Sequence, residues 1–121
     1  MIVLDANYIL RYLLRDHEEM FVLAKETIEN NHCLVLNEVV AEVVYVLEKV
    51  YTAQKRDTVT SVGAFLSQNN IGTVGEKSNI LLALTYYQEE NIDFVDGYLC
   101  SLKDEYQIKT FDKKLSKCLN A

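Results

Sequence analysis

Four apolar runs of strand length, IVLD at residues 2–5, CLVL at 33–36, IGTV at 71–74 and IKTF at 108–111, punctuate a chain whose intervening segments carry helical periodicity. IVLD is continuous rather than alternating and CLVL repeats it, which is the pattern of strands covered on both faces. Strands that alternate with helices, in units too short for antiparallel meanders, predict an α/β fold: a three-layer α/β/α sandwich around a central parallel sheet. In that arrangement IVLD is expected to be a buried central strand.

The segments between the runs read as helices. Tyr8, Ile9, Leu10, Tyr12, Leu13 and Leu14 crowd a short one over Asn7–Leu14. Asp16, with Glu19 three residues later, has capping-box spacing and predicts the start of a second helix reaching about Asn30. Asn37 reads as the N-cap of a third, in which Val40, Val44, Leu47 and Tyr51 form one stripe and Glu38, Glu42 and Lys49 lie on another face. Asp57 reads as the cap of a stretch toward Asn69 and Asn70, and Glu76–Glu90 is helical by the spacing of Ile80, Leu81, Leu84 and Tyr87. DFVDGYLCSLKDEY predicts a short entry and a helix, and DKKLSKCL a last one.

At 121 residues and 50% hydrophobic, the chain suits one domain, residues 1–121, with one core. Neither a run of about 18 apolar residues nor a basic-then-apolar leader is readable, so no membrane span is expected and the cytoplasm is the default location. Cys33, Cys100 and Cys118 are odd in number and lack C-x-x-C spacing. They are expected to be reduced thiols packed as small hydrophobes, not a disulfide framework or a zinc knuckle. His17 and His32 show no metal-pair spacing and read as surface-turn residues. A net charge of −6 argues against an open basic surface for DNA. The basic residues are nonetheless uneven: Arg11 and Arg15 follow the first strand, and Lys103, Lys109, Lys113, Lys114 and Lys117 lie near the end. They are either solvated surface charges or a local patch able to meet phosphate.

In open parallel α/β sheets, sites form outside the carboxyl ends of the strands. Asp5 ends the first run, Asp112 follows IKTF, Glu42 lies about one helical turn inside the helix after CLVL, and Asp96 lies near the start of the helix after NIDF. Each has a plain alternative as a helix cap, a helix N-terminal charge or a solvated residue. Together, four carboxylates meeting at one edge would repel and raise one another's pKa, a conflict that a divalent cation removes. An all-oxygen ligand set suits Mg²⁺ or Mn²⁺, and such an ion supports phosphodiester hydrolysis.

The opening VLDAN, the helix NEVVAEVVYVLEKVY, the segment NIDFVDGYL and the late IKTFDKKL occur in an order and spacing that resembles PIN-domain proteins, especially VapC-type toxins of toxin–antitoxin pairs. The similarity spans nearly the whole chain. It implies a metal-dependent endoribonuclease in which Asp5, Glu42, Asp96 and Asp112 are the catalytic acids, with Asp5, Asp96 and Asp112 on the metal. Asn7 matches a polar residue that helps hold the site, Thr110 is a supporting hydroxyl, and Asp93 is a second-rank acid. Arg11, Arg15, Lys113 or Lys114 would receive RNA phosphates. The resemblance also implies a homodimer and a cognate antitoxin that blocks the site, often by inserting a basic side chain among the acids. Two positions depart from the family pattern: Asn37 stands where many relatives have proline, and Gly97 stands where alanine is commoner. Gly97 is expected to loosen its helix start slightly.

Two other readings compete. A PIN-like fold could serve as a binding module, docking a basic partner on its acidic edge, but that would be marked by loss of an acid, and none is lost. A phosphoacceptor receiver domain has similar length and sheet type, yet it would carry paired acids after the first strand and a lysine after the last, where this chain has VLDAN and IKTFD.

Overall fold

The computed structural model describes residues Met1–Ala121. Its elements alternate in the expected way: β1 (Ile2–Val3), α1 (Ala6–Leu14), α2 (Glu18–Glu29), β2 (Cys33–Val35), α3 (Asn37–Lys49), α4 (Lys55–Leu66), β3 (Ile71–Thr73), α5 (Lys77–Glu89), α6 (Phe94–Ser101) and α7 (Lys113–Leu119). The three strands form one parallel sheet in the order β1-β2-β3, with Ile2 opposite Cys33 and Cys33 opposite Ile71. This is the α/β class that the apolar runs predict. No helix is long and apolar enough to cross a membrane.

One contiguous core joins the sheet to α1 to α6. Leu4, Cys33, Val35 and Ile71 from the strands and their ends pack with Ile9, Ile28, Val40, Val43, Leu66, Ile80, Leu84 and Phe94 from the helices. A separate small cluster of Ile92, Cys100, Leu115 and Cys118 fastens α7 to α6. Helices α5 and α6 pack most intimately, and the reason is Gly97: a Cβ there would lie 2.6 Å from the carbonyl oxygen of Ala83. The glycine is therefore a close-approach residue, not merely a loosened helix start.

Several sequence expectations are corrected. IKTF, residues 108–111, is not a strand: residues 107–111 make no backbone hydrogen bond to backbone, and Phe111 is fully exposed. Both flanks are committed elsewhere, since the Tyr106 amide bonds to the Leu102 carbonyl and Asp112 caps α7. An apolar run is a local property, whereas a strand needs a partner. As a consequence β1 is an edge strand, not a buried central one, and Ile2 and Val3 are exposed. The Ile2 and Leu4 amides turn toward β2, leaving those of Val3 on the open side.

Three caps also move. His17, not Asp16, caps α2 through Nδ1, which accepts from the Met20 amide, while Asp16 pairs with Arg11. Leu36 rather than Asn37 precedes α3, and Gln54 rather than Asp57 precedes α4, whose first turn holds Asp57. Finally, Cys100 and Cys118 are joined in a disulfide, and only Cys33 is a free, buried thiol. The spacing of 18 residues contains no pairing signal; packing α7 on α6 creates the encounter.

Candidate active site

Asp5 lies two residues beyond β1 and enters α1 as its N-cap, in extended conformation. Its Oδ1 accepts the Tyr8 amide at 2.8 Å, so this carboxylate is a cap with its second oxygen uncommitted to the protein. Asp112 repeats the arrangement at α7. Its Oδ2 accepts the Leu115 amide at 2.8 Å, and its own amide donates to Thr110 Oγ1 at 3.0 Å. Thr110 thus shapes the backbone that presents Asp112. Both aspartates are exposed. Capping fixes the backbone and one oxygen, and the other oxygen remains able to meet a ligand.

Asp96 sits in the first turn of α6 and is half-buried. Burial first, then the charges of Asp112 and Asp93, push its carboxyl above the ordinary carboxylate range. An acid that is partly desolvated and crowded by two like charges is under electrostatic pressure that a cation relieves. The position of α6 follows from a contact the sequence does not reveal. Asn37 Nδ2 donates to the Tyr98 hydroxyl at 3.0 Å, and the same hydroxyl lies 3.5 Å from where a Cβ on Gly75 would be. Asn37 and Gly75 follow the carboxyl ends of β2 and β3, so Tyr98 holds α6, and with it Asp96, at that end of the sheet. Asn37 Oδ1 is buried there without a partner.

Glu42 lies five residues into α3, which also starts from the carboxyl end of β2; its side chain is exposed and off the buried stripe of Val40, Val43, Val44 and Leu47. Asp93 precedes α6 and lines a groove of about 320 Å³ with Tyr45, Glu48, Lys49 and Tyr87. There the Tyr87 hydroxyl donates to Glu48 at 2.6 Å. Asp93 therefore faces this groove as well as Asp96. Asn7, expected to help at the acids, lines a hollow with Tyr8, Arg11, Met20 and Leu23.

The basic residues differ in availability. Arg11 is bound to Asp16 at 3.0 Å and donates to the Tyr51 hydroxyl at 3.1 Å, which commits it to structure. Arg15, in the left-handed region at φ 53°, stacks over Phe21 at 4.8 Å. Lys113 and Lys114 are exposed, follow Asp112 directly and form no ion pair.

The structure thus brings Asp96 together with Asp112 and Asp93, and places Asp5 at the start of α1 and Glu42 five residues into α3, both helices beginning on the carboxyl side of the sheet. It does not close them into one cluster: no three His, Cys, Asp or Glu side chains stand close enough to hold a metal ion between them. The donor chemistry fits a hard cation, being all carboxylate and carrying unrelieved repulsion at Asp96.

No curated protein and no solved structure matches the chain. A match to the PIN domain spans residues 2–118. PIN domains are generally metal-dependent nucleases that use divalent ions. The strand and helix order, the acids on the carboxyl side of a parallel sheet and this match over nearly the whole chain agree: the protein belongs to the PIN domain family.

Proposed function

We propose that this PIN-domain protein is an endoribonuclease dependent on Mg²⁺ or Mn²⁺, acting as the toxin of a VapBC-type toxin–antitoxin pair. The observation that carries the reading is the PIN domain match over residues 2–118, in a chain whose half-buried Asp96 stands in the first turn of α6 and whose Asp112 caps α7, the helix bonded to it. Asp5, Asp96 and Asp112 hold the ion, directly or through water, with Asp93 in reserve beside Asp96. Bound there, the ion would supply charge neutralisation at the scissile phosphate and a lowered pKa for the attacking water. Glu42 orients that water, Thr110 steadies Asp112, and Lys113 and Lys114 receive flanking RNA phosphates. The same reading makes the functional form a cytoplasmic homodimer, silenced by an antitoxin that sets a basic side chain among the acids.

The test is cleavage of end-labelled RNA by the purified protein with Mg²⁺, Mn²⁺ or chelator, beside Asp5→Asn and Asp96→Asn. Cleavage that needs the ion and is lost in both variants is the expected result. Equal activity in wild type and variants points to a contaminating nuclease and sinks the enzyme reading.

A further inference from the structure

The two short helices that present Asp96 and Asp112 are also joined by a covalent bond. On α6, Asp96 and Cys100 are four residues apart and share a face. From the α7 cap, Asp112, Leu115 and Cys118 follow one another at three-residue steps along a similar stripe. The acids stand at the amino ends of the two helices, and the cystine joins them about a turn or more further on, with the Cα atoms of Cys100 and Cys118 6.2 Å apart.

Little else holds α7. Its buried side chains are Leu115 and Cys118, with Leu119 half-buried beside them, and Lys103 Nζ donates to the carbonyl of Cys118 at 3.2 Å and to that of Ala121, just past the helix, at 3.4 Å. The residues leading into it, 107–111, make no backbone bond to the rest of the fold. A helix of seven residues has no stability of its own in water. Asp112 therefore keeps its place beside Asp96 through two leucines, one lysine and one disulfide. Of these only the disulfide is chemically switchable.

We propose that the Cys100–Cys118 bond is a redox-sensitive clamp that sets Asp112 against Asp96, so that oxidation assembles this pair of acids and reduction by a dithiol releases it. The inference rests on the nuclease reading above in assigning both acids to the divalent ion. In the reducing direction a dithiol thiolate attacks one sulfur, forming a mixed disulfide and freeing the other cysteine as a thiolate that takes up a proton. The second thiol of the reductant then closes its own disulfide and expels the remaining cysteine. Two electrons and two protons pass to the protein. Re-formation needs a disulfide oxidant such as oxidised glutathione, which is reduced in the exchange. Both sulfurs are fully buried, so attack waits on opening of α7. Cys33 does not compete: it lies in the main core, and burial pushes its thiol pKa up.

Cys100 and Cys118 are positioning residues in this account, and the test reads the ion and α7 as well as cleavage. Full-length protein is compared oxidised, reduced with dithiothreitol and re-oxidised with oxidised glutathione, beside Cys118→Ser. Reduced wild type, shown to be folded by circular dichroism, guards against a variant that fails to fold. The free Mn²⁺ signal in electron paramagnetic resonance is expected to show roughly tenfold weaker binding on reduction, the size of effect seen when a group supporting a metal ligand is removed. Amide exchange in α7 is expected to speed up in parallel. Re-oxidation restores both in wild type and neither in Cys118→Ser. Three free thiols after treatment with oxidised glutathione overturn the clamp, as does Mn²⁺ affinity that is absent or equal in the two forms. Equal RNA cleavage by oxidised and reduced protein also removes the clamp but leaves the nuclease standing. Redox-dependent Mn²⁺ binding without any cleavage keeps the clamp and removes the nuclease.

Discussion

Replacing Gly97 by alanine puts one methyl group between the two most intimately packed helices. The new Cβ would sit 2.6 Å from the Ala83 carbonyl oxygen, 3.4 Å from its carbonyl carbon and 3.4 Å from the Tyr87 nitrogen. Ordinary carbon-to-oxygen contacts lie at about 3.3 Å or more, so α6 must retreat by about 0.7 Å along this direction. Nothing can rotate aside, because the obstructing atoms are the α5 backbone. Overpacking of this kind costs about 1–3 kcal/mol. Alanine returns up to about 1 kcal/mol in helix propensity. The net expectation is a loss of about 1–2 kcal/mol, or about 4–8 °C in the thermal midpoint for a chain of this length. Urea unfolding followed by circular dichroism should show a lower midpoint at an unchanged slope. Gly63→Ala is the matched control, since Gly63 lies inside α4 and a Cβ there meets nothing within 4 Å. It should stabilise by up to about 1 kcal/mol. Gly97→Ala at or above the wild-type midpoint, or both variants moving in the same direction, would refute the close-approach argument.

Asp5→Asn should abolish ion-dependent cleavage and leave the melting temperature unchanged, because the amide oxygen still accepts the Tyr8 amide; Asp5→Ala should lose about 1 kcal/mol of stability in addition. Comparing melts of the two variants separates cap from chemistry, and equal stability would deny the cap. For Asp96 the raised folded pKa means that its ionised form is disfavoured in the fold. Its penalty is absent below the unfolded value near pH ~3.9 and develops as pH rises through the folded one. Asp96→Asn should therefore raise the thermal midpoint at neutral pH, and a fall would contradict the crowding by Asp112 and Asp93. Glu48 has the opposite sign. The hydrogen bond from Tyr87 first, then Lys49, against an opposing burial effect, hold its carboxyl below the ordinary range. Its contribution is present above the unfolded pKa of about 4.3 and is lost as pH falls through the lower folded value. Tyr87→Phe should reduce stability at pH 7 and flatten the acid-side loss, and parallel pH profiles for the two proteins would argue against the pair.

Much of the site's address was legible in local sequence. Asp5 and Asp112 stand where an extended segment gives way to a helix, and Asp96 stands in a first turn, all readable from apolar runs and helical periods. What could not be read was whether they meet. Asp96 is crowded by Asp112 only because α7 lies on α6, and α6 is held at the sheet by Tyr98 and Asn37, residues 61 apart in sequence. Arg11 looked as available as Lys113, and its commitment to Asp16 and Tyr51 depends on a turn and a distant helix end. The cap errors have a related cause: Asp16 offered good capping chemistry, but it pairs with Arg11, and the next residue, His17, takes the helix start.

Local sequence carries the alternation of strand and helix, the parallel class and the buried positions Val40, Val44 and Leu47 of α3, because a helical stripe is specified within a few neighbouring residues. The tertiary structure alone decided which apolar run becomes a strand, which thiols become a disulfide and which acids repel. IVLD, CLVL and IGTV find partners, while IKTF is spanned between a turn and a cap and finds none. Pairing, cross-linking and repulsion belong to two groups at once. Their outcome depends on distances that are set only when elements far apart in the chain have packed.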